Sequence, residues 1–119
     1  YTGARIRSML RKFEERRDRF AAARVRPELL SLPGEWEIVK SAALFPETVA
    51  IAARELSPSN VAVHLFELSK TFSRWYQENP VLRNDDPDLV VSRIALVRAV
   101  VQVVSNGLRL LGIPFLEAM

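Results

Sequence analysis

Arg5, Arg7, Arg11, Lys12, Arg16, Arg17 and Arg19 crowd the opening segment of the chain. Cations at this density do one kind of chemistry. They pair with phosphate oxygens, and the counterions released from a polyanion add to the affinity. Residues 1–27 hold nine Lys/Arg against three Asp/Glu, whereas the remaining 92 hold eight against eleven, so a net charge of +3 conceals a polarised molecule. A basic helix face also serves solubility, and charge alone does not separate the two. The second chemically suggestive residue is Tyr76. It follows Trp75 at the end of an apolar-striped segment, just before Asn79-Pro80. With Trp75 on the stripe, Tyr76 is turned about 100° from it and expected to be partly exposed. Such a ring is either a platform for an unstacked base or an amphipathic residue sealing the core edge.

Other chemistry is poorly represented. There is one histidine, His64, and no cysteine, so thiolate metal sites and disulfides are excluded. Asp85, Asp86 and Asp88 lack the spacing of a calcium loop, and helix capping accounts for them. No glycine-rich phosphate loop or serine elbow occurs. No catalytic or metal-ligating residue is therefore expected.

The elements that must carry these residues all read as helices. A chain of 119 residues suits a single domain spanning 1–119. Its 49% hydrophobic and 26% charged residues are those of a globular protein. No apolar run reaches the roughly 18 residues of a membrane span. The lack of cysteine suits a cytoplasmic setting.

Residues 2–22 place Ile6, Met9, Leu10, Phe13 and Phe20 on one stripe and Arg5, Lys12, Arg16 and Arg19 on another. Pro27, Pro33 and Gly34 punctuate a connector over 24–34. A short helix is expected from 35 to 43. Another starts at Phe45-Pro46 and buries Phe45, Val49, Ala52 and Leu56. Ser57-Pro58 is read as the cap of a helix striped by Val61, Leu65, Leu68, Phe72 and Trp75. Asn79-Pro80 ends it. Asp86-Pro87 caps the longest helix, striped by Ile94, Val97, Val101, Val104, Leu108 and Leu111, with Gly112 as its left-handed stop. The expected fold is an all-α bundle of five to six helices: two long antiparallel helices, with the basic helix and a short helical pair packed on them.

The order of these segments resembles the anticodon-binding domain of arginyl-tRNA synthetases, the DALR family. Tyr1, Ala4, Arg5, Ser8, Arg11 and Lys12 fit that family's opening helix. Residues 35–49, with Phe45-Pro46-Glu47 at their centre, resemble its Phe-Pro-Glu segment. Pro58, Leu65, Leu68, Phe72 and Tyr76 fit the next helix. Arg93-Ile-Ala-Leu96 and Asn106-Gly107-Leu-Arg-Leu-Leu-Gly112 are similar to its signature helix and that helix's end.

The resemblance implies a class I synthetase anticodon domain whose partners are an arginine-accepting tRNA and the enzyme's own catalytic domain. It implies that Tyr1, Arg5, Arg11 and Lys12 on the first helix face RNA, with Arg5 and Arg11 at phosphates and the middle anticodon base. Tyr76 would offer its ring to the anticodon loop, Pro80, Val81 and Leu82 would line the adjacent turn, and Met119 would pack against a base or place its carboxylate there. Leu116-Glu-Ala-Met119 lacks the arginine usual in the family's Pro-Glu-Arg-Met end. The HIGH and KMSKS signatures are absent, so ATP and magnesium would be handled by the parent enzyme's catalytic domain and no cofactor by this part. A cytoplasmic monomer without membrane contact is expected. Two further readings stay open on the residues: the helical anticodon domain of another class I synthetase, such as the cysteine enzyme, and a bundle that binds a protein partner instead of RNA.

Overall fold

The computed structural model describes residues 2–82 and 86–112. Among them it shows five α-helices, two short 3₁₀ turns and no strand. The helices are α1 (Thr2–Glu15), α2 (Pro33–Ala43), α3 (Phe45–Glu55), α4 (Ser59–Glu78) and α5 (Pro87–Leu110). The all-α bundle expected from the sequence is the observed fold. No helix among the described residues is long and apolar enough to cross a membrane.

The frame is the antiparallel pair α4 and α5. Leu65, early in α4, meets Gly107, late in α5, whereas Trp75, late in α4, meets the level of Arg93, early in α5. A Cβ built on Gly107 would lie 2.6 Å from Leu65 Cδ1. Glycine is the residue that lets the two helices close to this distance. Leu68, Phe72, Trp75, Val90, Ile94, Val97 and Val100 form the centre of the core, and Ile6, Met9 and Phe13 of α1 and Ile38 of α2 complete it. A second cluster of Phe45, Ala52, Val61 and Leu65 holds α3 to the start of α4.

Four local expectations are corrected. The first helix stops at Glu15, and a 3₁₀ turn over Arg17–Phe20 follows. Phe13 and Phe20 stack at 5.3 Å between ring centroids. Seven residues of straight helix would set them roughly 10 Å apart, so the break is what brings the rings together. It also takes Arg16 and Arg19 off the α1 face.

Second, α2 begins at Pro33, because proline needs no N–H in a first turn and Pro33-Gly34 opens the helix instead of interrupting it. Third, Leu56 is 88% exposed, not buried. It ends α3 in the left-handed region, at φ 52°, and this turns its side chain away from the stripe. Fourth, the Ser57 hydroxyl does not cap α4 but meets the Ser59 hydroxyl at 2.9 Å. Asp86 does cap α5, its carboxylate accepting from the Asp88 N–H at 3.0 Å. Gly112 has the expected positive φ, 78°.

Candidate nucleic-acid interface

One buried carboxylate ties α2, α4 and α5 together and fixes the helix end that carries Tyr76. Glu35 of α2 has no exposed surface. Its Oε2 accepts from Arg93 Nε at 2.8 Å and from Trp75 Nε1 at 3.1 Å. Its Oε1 accepts from the Leu32 N–H at 3.1 Å, closing the first turn of α2. Both oxygens of a buried charge are thus satisfied, as burial requires. The Asn79 amide then donates to the Trp75 carbonyl at 3.0 Å, which fixes the end of α4. Sequence reasoning placed Trp75 on the apolar stripe and Arg93 in the signature helix but did not single out Glu35 as their partner. The available signal was a glutamate at the third position of a helix start, which reads equally well as an exposed cap.

Tyr76 sits at the end of α4 that this node fixes. It is half-buried, with its ring stacked on Phe72 at 5.8 Å between centroids and 19° between planes. Burial pushes its hydroxyl above the ordinary tyrosine value, and the charge of Arg5 acts in the opposite direction. The charge of Arg5 is thus felt at Tyr76 although 71 positions separate them in the chain. The two readings of Tyr76 are compatible: it seals the core edge through Phe72 and still reaches solvent beside a cation.

The outer side of α1 exposes Arg5, Arg7, Arg11 and Lys12. Among the described residues none of the four pairs with a carboxylate. The cations that do pair lie elsewhere: Arg17 and Arg98 share Glu14, Arg26 meets Glu28 and Asp88, Lys70 meets Glu67, and Arg93 meets Glu35. Lys12 is seven residues from Arg5 and lies on the same flank, two turns along. Arg11 is rotated about 120° from Arg5 around the helix. Helix geometry thus puts Arg5 and Lys12 on one flank of α1 and turns Arg11 to its outermost face.

The turn after α4 divides its three candidates. Pro80 is exposed, Leu82 is half-buried against the core, and Val81 is 3% exposed and part of the core. Val81 is a correction to the expectation of a contact residue, since its side chain closes the end of the bundle and is not presented to a ligand. Tyr1 and Met119 lie outside the described residues, as does Asp85 of the acidic cluster. Asp88 is structural. Its Oδ1 accepts from the Arg24 N–H at 3.0 Å and its Oδ2 from Arg26 Nη1 at 3.4 Å. These bonds, the backbone one first, hold its carboxyl below the ordinary value. His64 Nδ1 lies 3.4 Å from the Thr48 hydroxyl, beside the Phe45 ring. No cluster able to hold a metal ion is found among the described residues.

A bundle with an unpaired basic helix beside a half-exposed tyrosine is a surface suited to RNA. The family comparison agrees: the DALR anticodon binding domain matches residues 1–119, the whole chain. The chain belongs to this family. Similar curated proteins are the arginine–tRNA ligases of Treponema pallidum, 45% identical, Treponema denticola, 41%, and Nitratidesulfovibrio vulgaris, 39%, each alignment covering all of this chain. The chain spans about a fifth of the length of these relatives, 20 to 22%. It matches their C-terminal part. No solved structure matches the chain.

Proposed function

We propose that this DALR domain reads the anticodon loop of an arginine-accepting tRNA as the C-terminal part of an arginine–tRNA ligase. One observation carries the reading: the family match over 1–119 falls on a chain whose first helix exposes cations that pair with no carboxylate among the described residues, Arg5 among them acting on the half-buried Tyr76. In this reading Arg5 and Lys12 engage backbone phosphates on either side of an unstacked base, and Tyr76, propped from behind by Phe72, receives that base. Pro80 is exposed in the turn that follows the same helix end. Arg11 approaches the phosphates of the adjoining stem from the outermost face. A guanidinium in this position can stack as well as pair, which an ammonium cannot.

The parent enzyme's ATP and magnesium chemistry belongs to the part of the ligase outside these residues, and this domain contributes tRNA selection alone. A cytoplasmic monomer is the setting that accords with the family and with the cysteine-free chain. The arginine enzyme is favoured over the cysteine enzyme because the relatives matched over the whole chain are arginine–tRNA ligases.

The test is a titration of the chain with the anticodon stem–loop of an arginine tRNA at several salt concentrations. Binding should weaken steadily with salt, each phosphate contact adding somewhat less than one unit to the log–log slope. Binding that is absent at low salt, or indifferent to salt, would overturn the reading.

A further inference from the structure

Helix α2 is apolar on two sides. Its inner side carries Ile38, fully buried, with the Glu35 carboxylate beside it. Its outer side carries Leu32, Trp36, Val39 and Ala43, at steps of four, three and four, which is the spacing of a second buried stripe. Yet Trp36 is 59% exposed, Leu32 37% and Val39 36%. The cation nearest the indole is Lys40, whose Nζ lies 5.8 Å from the ring centroid. A helix with two apolar stripes is built to be covered on both, and one tryptophan left in water has a large area to lose.

Two observations identify the cover. Apart from Lys40 beside Trp36 the stripe is apolar, whereas the basic charge of the molecule is collected on α1, so an apolar protein surface suits it better than RNA does. Its position is equally informative. Gly34, at the start of α2, abuts Trp75 near the end of α4, and Arg5, near the start of α1, acts on Tyr76 at that same end. The beginning of α2 therefore lies at the end of the bundle whose Tyr76 feels the charge near the beginning of α1. In the curated relatives about four fifths of the chain lies outside the matched part and joins it ahead of α1. A domain attached there joins at the end of the bundle where α2 begins, with Leu32 just ahead of that helix and Trp36 in its first turn.

We propose that the outer stripe of α2 is the docking surface for the domain that precedes residue 1 in the parent ligase, with Trp36 as its central anchor. The proposal rests on the reading that this chain is the C-terminal part of a longer enzyme. Interfaces between domains of one chain bury about 600–1,500 Å² and are organised around a few such anchors. Docking on α2 leaves the α1 flank open to RNA. It also connects, through Glu35 and Trp75, to the helix end that carries Tyr76.

Hydroxyl-radical footprinting of Trp36, in the 119-residue chain and in the full-length ligase, tests this directly. Oxidation of Trp36 should be several-fold slower in the full-length enzyme, while Trp75, buried in both, stays slow and serves as the internal control. Equal rates at Trp36 in the two proteins would overturn the proposal. So would protection of Trp36 in the short chain that grows with its concentration, because the cover would then be a second copy. Trp36→Lys supplies a second arm. The short chain carrying it should melt and bind the anticodon stem–loop as the parent sequence does, and the full-length enzyme should lose arginylation kcat/KM. A loss of stem–loop binding by the short chain would assign the stripe to RNA instead. Failure of the unsubstituted chain to bind RNA would count against the anticodon reading only, since the footprint contrast needs no RNA.

Discussion

Replacing Glu35 removes the one carboxylate that joins α2, α4 and α5. In Glu35→Ala the Arg93 guanidinium, 8% exposed as a residue, is left without its partner, and the Trp75 indole N–H loses its acceptor. Breaking a buried ion pair from one side costs about 3–5 kcal/mol. An orphaned buried donor adds about 1–3 kcal/mol, part of which relaxation recovers. A domain of this size has roughly 6–18 kcal/mol of stability at the usual amount per residue. A loss of about 4 kcal/mol is therefore a large share of the total, and at roughly 4 °C per kcal/mol it lowers Tm by about 16 °C.

Glu35→Gln keeps an acceptor for one neighbour but turns an amide donor towards the other, so it should fall between wild type and alanine. Glu35→Met combined with Arg93→Met removes both charges and should recover much of the loss, as apolar replacement of buried pairs does. Thermal and urea unfolding of these four proteins is the assay. If Glu35→Ala melts within a degree or two of wild type, or if the double substitution is worse than the single, the node is not what holds the three helices and the reasoning fails.

Three further outcomes follow from the same geometry. Tyr76→Phe should keep most stem–loop affinity, whereas Tyr76→Ala should lose about 1–3 kcal/mol of binding; its stability should drop by about 2 kcal/mol, less than for a fully buried aromatic, because the ring is only half-buried on Phe72. An alanine protein that melts far lower and still binds RNA normally would end the stacking role. Gly107→Ala gains up to about 1 kcal/mol in helix preference but drives a methyl group to 2.6 Å from Leu65 Cδ1; overpacking of about 1–3 kcal/mol should dominate, and a stabilised variant in urea unfolding would show that the α4–α5 contact is looser. The carboxyl of Asp88 is lower in the folded state than in the unfolded chain, so its contribution is present above the unfolded value near 4 and fades as pH falls through the folded one. The Tm gap between wild type and Asp88→Asn should therefore close in acid, and a gap constant from about pH 7 to about pH 3 would refute the coupling.

Much of the architecture was legible because helical periodicity is a local property. The spacing of Val61, Leu65, Leu68, Phe72 and Trp75 marks one buried stripe, and all five are buried in α4. Asp86-Pro87 and Gly112 mark the ends of α5 by the chemistry of capping and of positive φ, which also depends on neighbouring residues alone. The helix ends depart from the expected stripes: the break after Glu15 folds Phe20 back onto Phe13, and the left-handed turn at Leu56 takes that leucine out of the core.

The candidate site divides along the same line. The sequence by itself determined that the positive charge lies at the start of the chain, that Tyr76 ends a helix off its apolar stripe, and which family these segments follow. Only the tertiary structure decided that the charge of Arg5 is felt at Tyr76, that Val81 is core and not rim, and that Glu35 pairs with Arg93 across 58 positions. The physical reason is that stripes and caps are set by residues three or four apart, whereas pairing and burial depend on which helix faces meet. A glutamate at the start of a helix has the same local pattern in solvent as in the core. What makes Glu35 a keystone is the indole and the guanidinium that α4 and α5 bring to it.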